Sequence, residues 1–449
     1  MSFSTLEQIM GQVQMRNLGE REFHQAVREV FANVLPLVEA NPVYRQMKIL
    51  ERLVEPERVI MFRVPWIDDQ GNVQINRGFR VEMNSAIGPF QGGIRFHPSV
   101  SLSIMKFLAF EQVFQNSLTG LPLGGAKGGA DFDPKGKSEF EIMRFCQSFM
   151  NELYRYIGTD MDIIISGVGV RAREIGFLFG AYKKLSGMYA GGAVAGKGEQ
   201  WGGSQLRAEA GGFGAIFFLE NMLATIERQL EGLKMCISGA GNVALYAAQK
   251  AVEQGAKVLT VSDTGGLLYA SEGFSLEQIE AVKRTKKRYR GNLKDICGEY
   301  ADLQYFAGRT PWHIPCDVAL PAATQNELYA EDAENLIKNG VKVVAEAADM
   351  PCTPSALSAF QENGVLIAPA KAVNAGGVIL AGLETAQNAS HQLWTRAEVE
   401  SRLRRAVADI HASCVRYGSD GSGPVNYIKG ANVAGFVRVA EAMVDQGVI

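Results

Sequence analysis

The sequence predicts an α/β protein of two parts. The first mixes helices with antiparallel strands, and the second is a doubly wound parallel sheet with helices on both faces. Three observations predict this. Arg58 to Ile67 and Val73 to Met83 read as strands joined by the turn Asp68-Asp69-Gln70-Gly71-Asn72, a hairpin that a purely parallel sheet does not contain. From about residue 211 onward, short apolar strands alternate with helical stretches. Between one such strand and helix, Gly239-Ala240-Gly241-Asn242-Val243-Ala244 spells G-x-G-x-x-A.

The chain has 449 residues, 47% apolar and 21% charged. That length suits roughly two to three domains, and the composition excludes disorder, collagen-like repeats and a coiled coil. Forty-five basic and 48 acidic side chains leave a net charge of −3. This balance gives no footprint for nucleic acid or an anionic membrane. Apolar runs such as Ile163-Ile164-Ile165 and Gly214 to Leu219 fall far short of a membrane span. Cys146, Cys236, Cys297, Cys316, Cys352 and Cys414 form no C-x-x-C pair, and no Cys/His cluster has zinc spacing. Free thiols in a reducing compartment and no metal are expected. The N-terminus lacks a basic patch followed by an apolar stretch, so a cytoplasmic protein without a secretory signal is expected.

Along the chain, Phe23, Val27, Val30, Phe31, Val34 and Leu35 recur at helical spacing until Asn41-Pro42. After the hairpin comes a glycine-rich loop, Gly88 to Phe96, then a helix from Ser99 to about Leu118. A second glycine-rich loop covers Leu121 to Ala130, and Ser138 with Glu141 has capping-box spacing for the next helix. In the second part, strands are predicted at Leu233 to Ser238, Lys257 to Ser262, Asp317 to Pro321, Val341 to Ala345 and Val365 to Ala368. A helix covers Asn242 to Gln254, and the last sixty or so residues read as helical. The basic run Lys283-Arg284-Thr285-Lys286-Lys287-Arg288 reads as a solvated helix face, with a phosphate-binding patch as the alternative.

The glycine motif predicts a dinucleotide site. Gly239 and Gly241 would let the backbone approach a pyrophosphate whose charge sits on the N-terminus of the helix begun by Asn242 and Val243. Asp263, about twenty residues on, would accept hydrogen bonds from a ribose hydroxyl. The competing reading is a tight strand-to-helix turn with no ligand.

Several blocks resemble the NAD(P)-dependent glutamate dehydrogenases of the small hexameric bacterial type. They are Tyr44-Arg45-Gln46-Met47, Leu53 to Arg58, Arg95-Phe96-His97-Pro98, Asp131 to Lys137, Arg173 to Gly176, Ala323 to Leu328 and Asn374 to Val378. The resemblance runs from about residue 20 to the C-terminus. It implies a substrate and assembly domain over 1–200, a Rossmann-like nucleotide domain over 201–380, and C-terminal helices over 381–449 that pack back on the first domain, with a cleft between the domains. It implies reversible oxidation of an amino acid to a 2-oxo acid and ammonia, a small-molecule substrate, and a homohexamer or a hexamer mixed with a paralogue. Ser262-Asp263-Thr264 resembles NADP-using members, whereas an acid at Asp263 by itself suits NAD. Thr324 and Asn374 match further cofactor-binding positions.

The resemblance also shows where the sequence departs from the family. Gln91 stands where a lysine holds the substrate side-chain carboxylate, and Gln115 where a lysine holds the α-carboxylate. Gly167 replaces the catalytic aspartate, and Ala381 a serine that touches the side-chain carboxylate. On the nicotinamide side, Gly211 replaces a threonine and Asp349 an asparagine. Lys127, in Gly124-Gly125-Ala126-Lys127-Gly128-Gly129, matches the lysine that polarises the reacting carbonyl. It is read either as an active group or as a remnant that closes a loop. Gln91 and Gln115 carry no charge, and a desolvated carboxylate left unpaired is costly. The expectation is therefore a related NAD(P)-binding oxidoreductase with an altered active site, diverted to a less anionic substrate. The alternatives are a non-catalytic member acting through nucleotide binding or assembly, and an ordinary glutamate dehydrogenase.

Overall fold

The structure, a computed structural model, describes residues 6–287, 291–421 and 423–449. Residues 1–5 and Arg288, the end of the basic run, lie outside the described residues. Two compact units emerge. The first comprises 1–207, 378–399 and 432–449, and the second comprises 208–377 and 400–431.

The first unit is built on a six-stranded sheet. Its strands are β1 (Arg58–Ile67), β2 (Val73–Asn84), β3 (Phe90–Phe96), β4 (Gly124–Ala130), β5 (Asp162–Ile165) and β6 (Val194–Ala195), in the spatial order β1-β2-β4-β3-β5-β6. The hairpin forms as expected, β1 and β2 pairing antiparallel from Arg58↔Glu82 to Ile67↔Val73. Strand β2 is antiparallel to β4, and β3 runs parallel to both β4 and β5. The two expected glycine-rich loops are therefore strands, and packing gives the reason. A Cβ on Gly92 would lie 1.6 Å from the Ala126 carbonyl oxygen, and one on Gly129 would lie 2.2 Å from that of Arg95. Glycine is present in these strands because neighbouring backbones press against them.

Helix Leu102–Leu118 is capped by the Ser101 side chain, and helix Glu139–Leu153 has the expected Ser138/Glu141 capping box. On one side of the sheet Ile94, Phe96, Phe132, Phe145, Phe149, Ile164 and Val194 form an aromatic-rich core. Phe132 and Phe145 stack at 3.8 Å between ring centroids. A fully buried ion pair, Arg80 with Asp162, ties β2 to the start of β5. Arg80 also donates to the Gly92 carbonyl oxygen at 3.1 Å.

The second unit holds a seven-stranded sheet. Its strands are β7 (Lys234–Ile237), β8 (Lys257–Asp263), β9 (Gly266–Ala270), β10 (Leu303–Ala307), β11 (Val318–Leu320), β12 (Val343–Ala345) and β13 (Leu366–Ala368). Their order is β10-β9-β8-β7-β11-β12-β13. The five expected strands pair in parallel. The expectation of a wholly parallel sheet needs correction, because β9 and β10 add an antiparallel edge. The two-residue turn Thr264-Gly265 closes that edge, with Asp263 opposite Gly266. Such a turn allows only an antiparallel return.

Residues 400–431 belong to the second unit, whereas the expectation put all of 381–449 with the first. Side-chain contacts explain the difference. Glu400 pairs with Lys250 at 3.1 Å and Arg404 with Glu220 at 2.7 Å. His411 packs edge-on against Phe218 and bonds the Tyr427 hydroxyl at 2.9 Å. Among the described residues, no helix is long and apolar enough to cross a membrane, and no group of three or more His, Cys, Asp or Glu side chains is placed to hold a metal ion.

One buried carboxyl makes stability depend on pH. Glu82 lies 3.3 Å from Arg58. Burial, reinforced by the nearby Asp162 charge, nonetheless pushes its pKa from 4.5 up to about 7, against the pull of Arg58 and Arg80. The folded state then binds more protons than the unfolded state between these values, so stability falls as pH rises through that window. We expect Glu82→Gln to raise Tm relative to wild type at pH 8 and to leave it nearly unchanged near pH 4.5. Equal shifts at both pH values in a thermal melt would contradict this.

Candidate active site

In the first unit the candidate residues gather on one face of the sheet. Gln91 pairs with Gly125 and with Ile163, and Gly93 pairs with Ile165. Side chains alternate along a strand, so Gln91, Gly93, Gly125, Lys127, Ile163 and Ile165 share a face. Ile163 and Ile165 pack there with Leu123, Ala195, Val378 and Ala381. Ile164 points the other way, into the aromatic core. The structure thus brings Lys127, Gln91 and Ala381 to one side of one sheet.

The Gln91 side chain is fully buried, and neither of its amide atoms has a hydrogen-bond partner among the described residues. A buried amide left unmatched costs on the order of 1–3 kcal/mol. Its backbone is held firmly, since Asn116 donates to the Gln91 carbonyl oxygen at 3.1 Å. Gln115 is half-buried on helix Leu102–Leu118 and accepts from Gln112 at 2.8 Å within that helix. Lys127 is half-buried, with its Nζ 3.3 Å from the point where a Cβ on Gly93 would stand.

Gly167 follows β5 in a tight loop. It exchanges two backbone hydrogen bonds with Val170, and Phe96 donates to the Val168 carbonyl oxygen at 2.9 Å. A Cβ at 167 would lie 2.5 Å from the Ile94 carbonyl oxygen. Position 167 therefore lacks both a carboxylate and the room for one on this backbone. We expect Gly167→Asp to lower Tm by several degrees without raising any turnover, because the 166–170 loop must leave β3 to admit the side chain. A variant as stable as wild type in a thermal melt would show that the loop yields freely.

Four further residues of this unit, Ser166, Lys197, Arg207 and Glu384, were not singled out by sequence reasoning. Ser166 Oγ accepts a hydrogen bond of 2.7 Å from the Arg207 guanidinium. Buried Lys197 and Glu384 pair at 2.7 Å, and Glu384 also accepts from the backbone N–H groups of Gly196 and Lys197. Burial lowers the Lys197 pKa, and Glu384 opposes that shift. A signal was available: Lys197 and Arg207 are lone cations in a glycine-rich stretch.

The second unit carries the nucleotide cradle. Strand β7 lies between β8 and β11, the point where strand order reverses and dinucleotides bind in such sheets. Gly239 adopts φ +85°, and its Cβ would stand 2.8 Å from the Ala322 carbonyl oxygen. Its N–H donates to Ser262 Oγ at 3.0 Å, and its carbonyl oxygen accepts from the Ser262 N–H at 3.2 Å. Gly241 caps helix Asn242–Glu253, and a Cβ there would meet nothing within 4 Å. This open space over a helix N-terminus fits a pyrophosphate. Asp263 accepts from the Gly265 N–H at 2.9 Å and pairs with Lys286 at 2.8 Å. The basic run is not wholly the solvated face expected. Lys283 is buried against the Tyr246 ring and pairs with Glu280.

Gly211 and Asp349, which the family resemblance assigns to the nicotinamide side, also lie in this unit. A Cβ on Gly211 would meet Val243 Cγ2 at 3.1 Å, and one on Gly212 would meet the Ala247 nitrogen at 2.3 Å. Small residues here let helix Ala210–Ala224 lie against the dinucleotide helix. Asn374 Nδ2 donates to Asp349 at 2.9 Å, so the substituted acid holds the retained amide. Thr324 is exposed, in a turn closed by Glu327, which accepts from the Ala323 and Thr324 N–H groups. The two motif glycines should respond differently to alanine. We expect Gly241→Ala to keep Tm and weaken NADP+ binding at least about tenfold, because its methyl enters only the ligand's space. Gly239→Ala should lower Tm as well, from the strained φ and the Ala322 clash. Calorimetric titration and thermal melts of both variants check this pair.

Comparison with known proteins follows the same division. The family model described as "Glu/Leu/Phe/Val dehydrogenase, dimerisation domain" matches residues 56–184, and "Glutamate/Leucine/Phenylalanine/Valine dehydrogenase" matches 202–447. The chain is 53% identical to an NADP-specific glutamate dehydrogenase of Haemophilus influenzae, over 99% of both chains. It is 51% identical to an NAD-specific glutamate dehydrogenase of Bacteroides fragilis, over 99% of this chain and all of the relative. Plasmodium falciparum glutamate dehydrogenase superposes with a TM-score of 0.96 at 44% identity, covering 99% of this chain and 95% of that one. A hetero-hexameric glutamate dehydrogenase from Thermus thermophilus, in a leucine-bound form, gives 0.82 at 27% identity, over 94% and 97% of the chains. With both family models matched and about half of its residues shared from end to end with such relatives, the chain belongs to the Glu/Leu/Phe/Val dehydrogenase family of oxidoreductases.

Proposed function

We propose that this chain is an NADP-linked dehydrogenase that interconverts an amino acid with its 2-oxo acid and ammonia. The observation that carries this is end-to-end likeness to NADP-specific glutamate dehydrogenases, at 53% identity over 99% of both chains. The relatives favour glutamate and 2-oxoglutarate as the pair, ahead of the diverted substrate that the missing lysines suggested. Gly239, Gly241 and the N-terminus of helix Asn242–Glu253 would hold the pyrophosphate, and Ser262 and Asp263 the adenosine ribose. NADP is favoured where Lys286 neutralises Asp263, with NAD as a second cofactor. When bound, the nicotinamide supplies hydride transfer. Lys127 would polarise the carbonyl oxygen of the oxo acid from the sheet face it shares with Gln91. We also propose assembly as a hexamer, alone or with a paralogue, for which light scattering should give six times the 48.8 kDa chain mass.

A second reading rests on one observation: the unmatched buried amide of Gln91 among Ile163, Ile165 and Ala381. A neutral side chain suits such surroundings better than a carboxylate. Initial rates of NADPH formation decide between the two. Turnover on glutamate carries the first reading, and turnover confined to neutral amino acids carries the second. Nucleotide binding with no turnover on any amino acid overturns both, in favour of a non-catalytic member. Under either catalytic reading we expect Gln91→Lys to tighten 2-oxoglutarate binding by about 10- to 100-fold, because a cation would then meet the second carboxylate. Binding of 2-oxobutyrate, which lacks that group, should barely change. An equal gain for both acids in a calorimetric titration would show that position 91 does not read the side chain.

A further inference from the structure

Two aspartates of the second unit stand at carboxyl ends of strands, on opposite sides of β7. Asp263 ends β8, and Asp349 follows β12. Three strand spacings separate β8 from β12, roughly 14 Å across the sheet. The strand ends between them form one continuous row. A Cβ on Gly239, just past β7, would stand 2.8 Å from the Ala322 carbonyl oxygen, just past β11. The neighbouring Pro321 carbonyl oxygen accepts from the Ala347 and Ala348 N–H groups, both at 2.9 Å, just past β12. A dinucleotide with its adenosine ribose at Asp263 and its pyrophosphate at Gly239 would therefore lay its other half along this row toward Asp349.

The two acids differ in how their charge is met. Asp263 pairs with Lys286 at 2.8 Å. Asp349 is half-buried and makes no ion pair among the described residues. What it has is the neutral Asn374 amide, which donates to it at 2.9 Å and to the Ala347 carbonyl oxygen at 3.4 Å. Its chain direction is fixed as well. Met350 adopts φ +49°, a region that side chains other than glycine rarely enter, and its carbonyl oxygen accepts from the Asn326 N–H at 2.9 Å. Strain of this kind collects at ligand sites, where the surrounding structure holds it. Asp349 is thus a positioned anion whose charge no lysine or arginine cancels.

A nicotinamide ring is neutral when reduced and becomes a pyridinium cation when it gives up its hydride. A fixed carboxylate beside the ring attracts the second form and gains nothing from the first. We propose that Asp349, held by Asn374, makes this chain bind the oxidised nucleotide in preference to the reduced one. The proposal rests on the NADP reading above, and it holds for an acidic or a neutral substrate. A bound couple weighted in this way gives up its hydride more readily, in the direction of amino acid formation.

The test is calorimetric titration of the full chain with NADP+, NADPH and adenosine 2′,5′-bisphosphate, which has no nicotinamide. Asp349→Asn keeps the shape and removes the charge. It should lower the NADP+/NADPH affinity ratio by about 5- to 30-fold, the effect of one unit charge several ångströms away near a protein surface. Binding of the bisphosphate should barely change. An unchanged ratio in Asp349→Asn overturns the proposal, and so does an equal loss of all three ligands, which would make Asp349 a purely structural residue. If that variant does not fold, wild type decides: its ratio should fall as salt is raised, because screening weakens the attraction to the oxidised ring alone. A ratio that ignores salt then overturns the proposal. Wild type that binds none of the three ligands overturns the NADP reading itself, and this proposal with it.

Discussion

The first unit depends on backbones meeting where side chains are absent. Along β3 and β4, a methyl at Gly92 or Gly129 would collide with a carbonyl oxygen of the neighbouring strand, and one at Gly167 would collide with Ile94 just beyond β5. The register of these closely packed strands sets which side chains share a face. It puts Gln91, Lys127, Ile163 and Ile165 on one side and gives Ile94 and Ile164 to the aromatic core. The close packing also limits the chemistry, because the position matched to an aspartate is pressed against β3 and has no space for one.

Buried charge holds this arrangement together. Arg80 and Asp162 are fully buried and join β2, β3 and β5 at the end of the sheet next to Gln91. Lys197 and Glu384 do the same for the segment leading to Arg207. Such pairs are weak sources of net stability, but losing one partner strands the other charge, at about 3–5 kcal/mol. Their effect is geometric: each fixes a loop or strand end that no apolar contact could orient. Glu82 shows the opposite case, a carboxyl whose exposed Arg58 partner does not offset its desolvation.

In the nucleotide unit the same logic yields an opening. Gly239 is glycine because its φ and the Ala322 carbonyl oxygen demand it, whereas Gly241 is glycine beside empty space. One is required by the packing of the fold, and the other leaves open space over the N-terminus of helix Asn242–Glu253. Gly211 and Gly212 belong to the contact between two helices, which gives a structural reason for glycine at a position that otherwise reads only as a lost nicotinamide contact.

Much of this was legible in the amino-acid order. The hairpin, the Ser138/Glu141 cap, the parallel strands of the second unit and the G-x-G-x-x-A turn are local patterns, set by periodicity, capping and the φ freedom of glycine. They fixed the fold class and the cofactor type. The substitutions at Gln91, Gln115, Gly167 and Ala381 were visible too, but only as differences in residue type. Tertiary structure decided the rest, because it depended on neighbours distant in sequence. Glycine-rich segments read as loops became central strands once β2 and β5 pressed on them. A Thr-Gly turn reversed the chain into an antiparallel edge. Helix Arg396–Gly418 divided between the two units through the partners of Glu400 and Arg404. Ser166 and Arg207, 41 residues apart, met only in the folded chain, since a hydrogen bond across that separation has no periodicity to announce it.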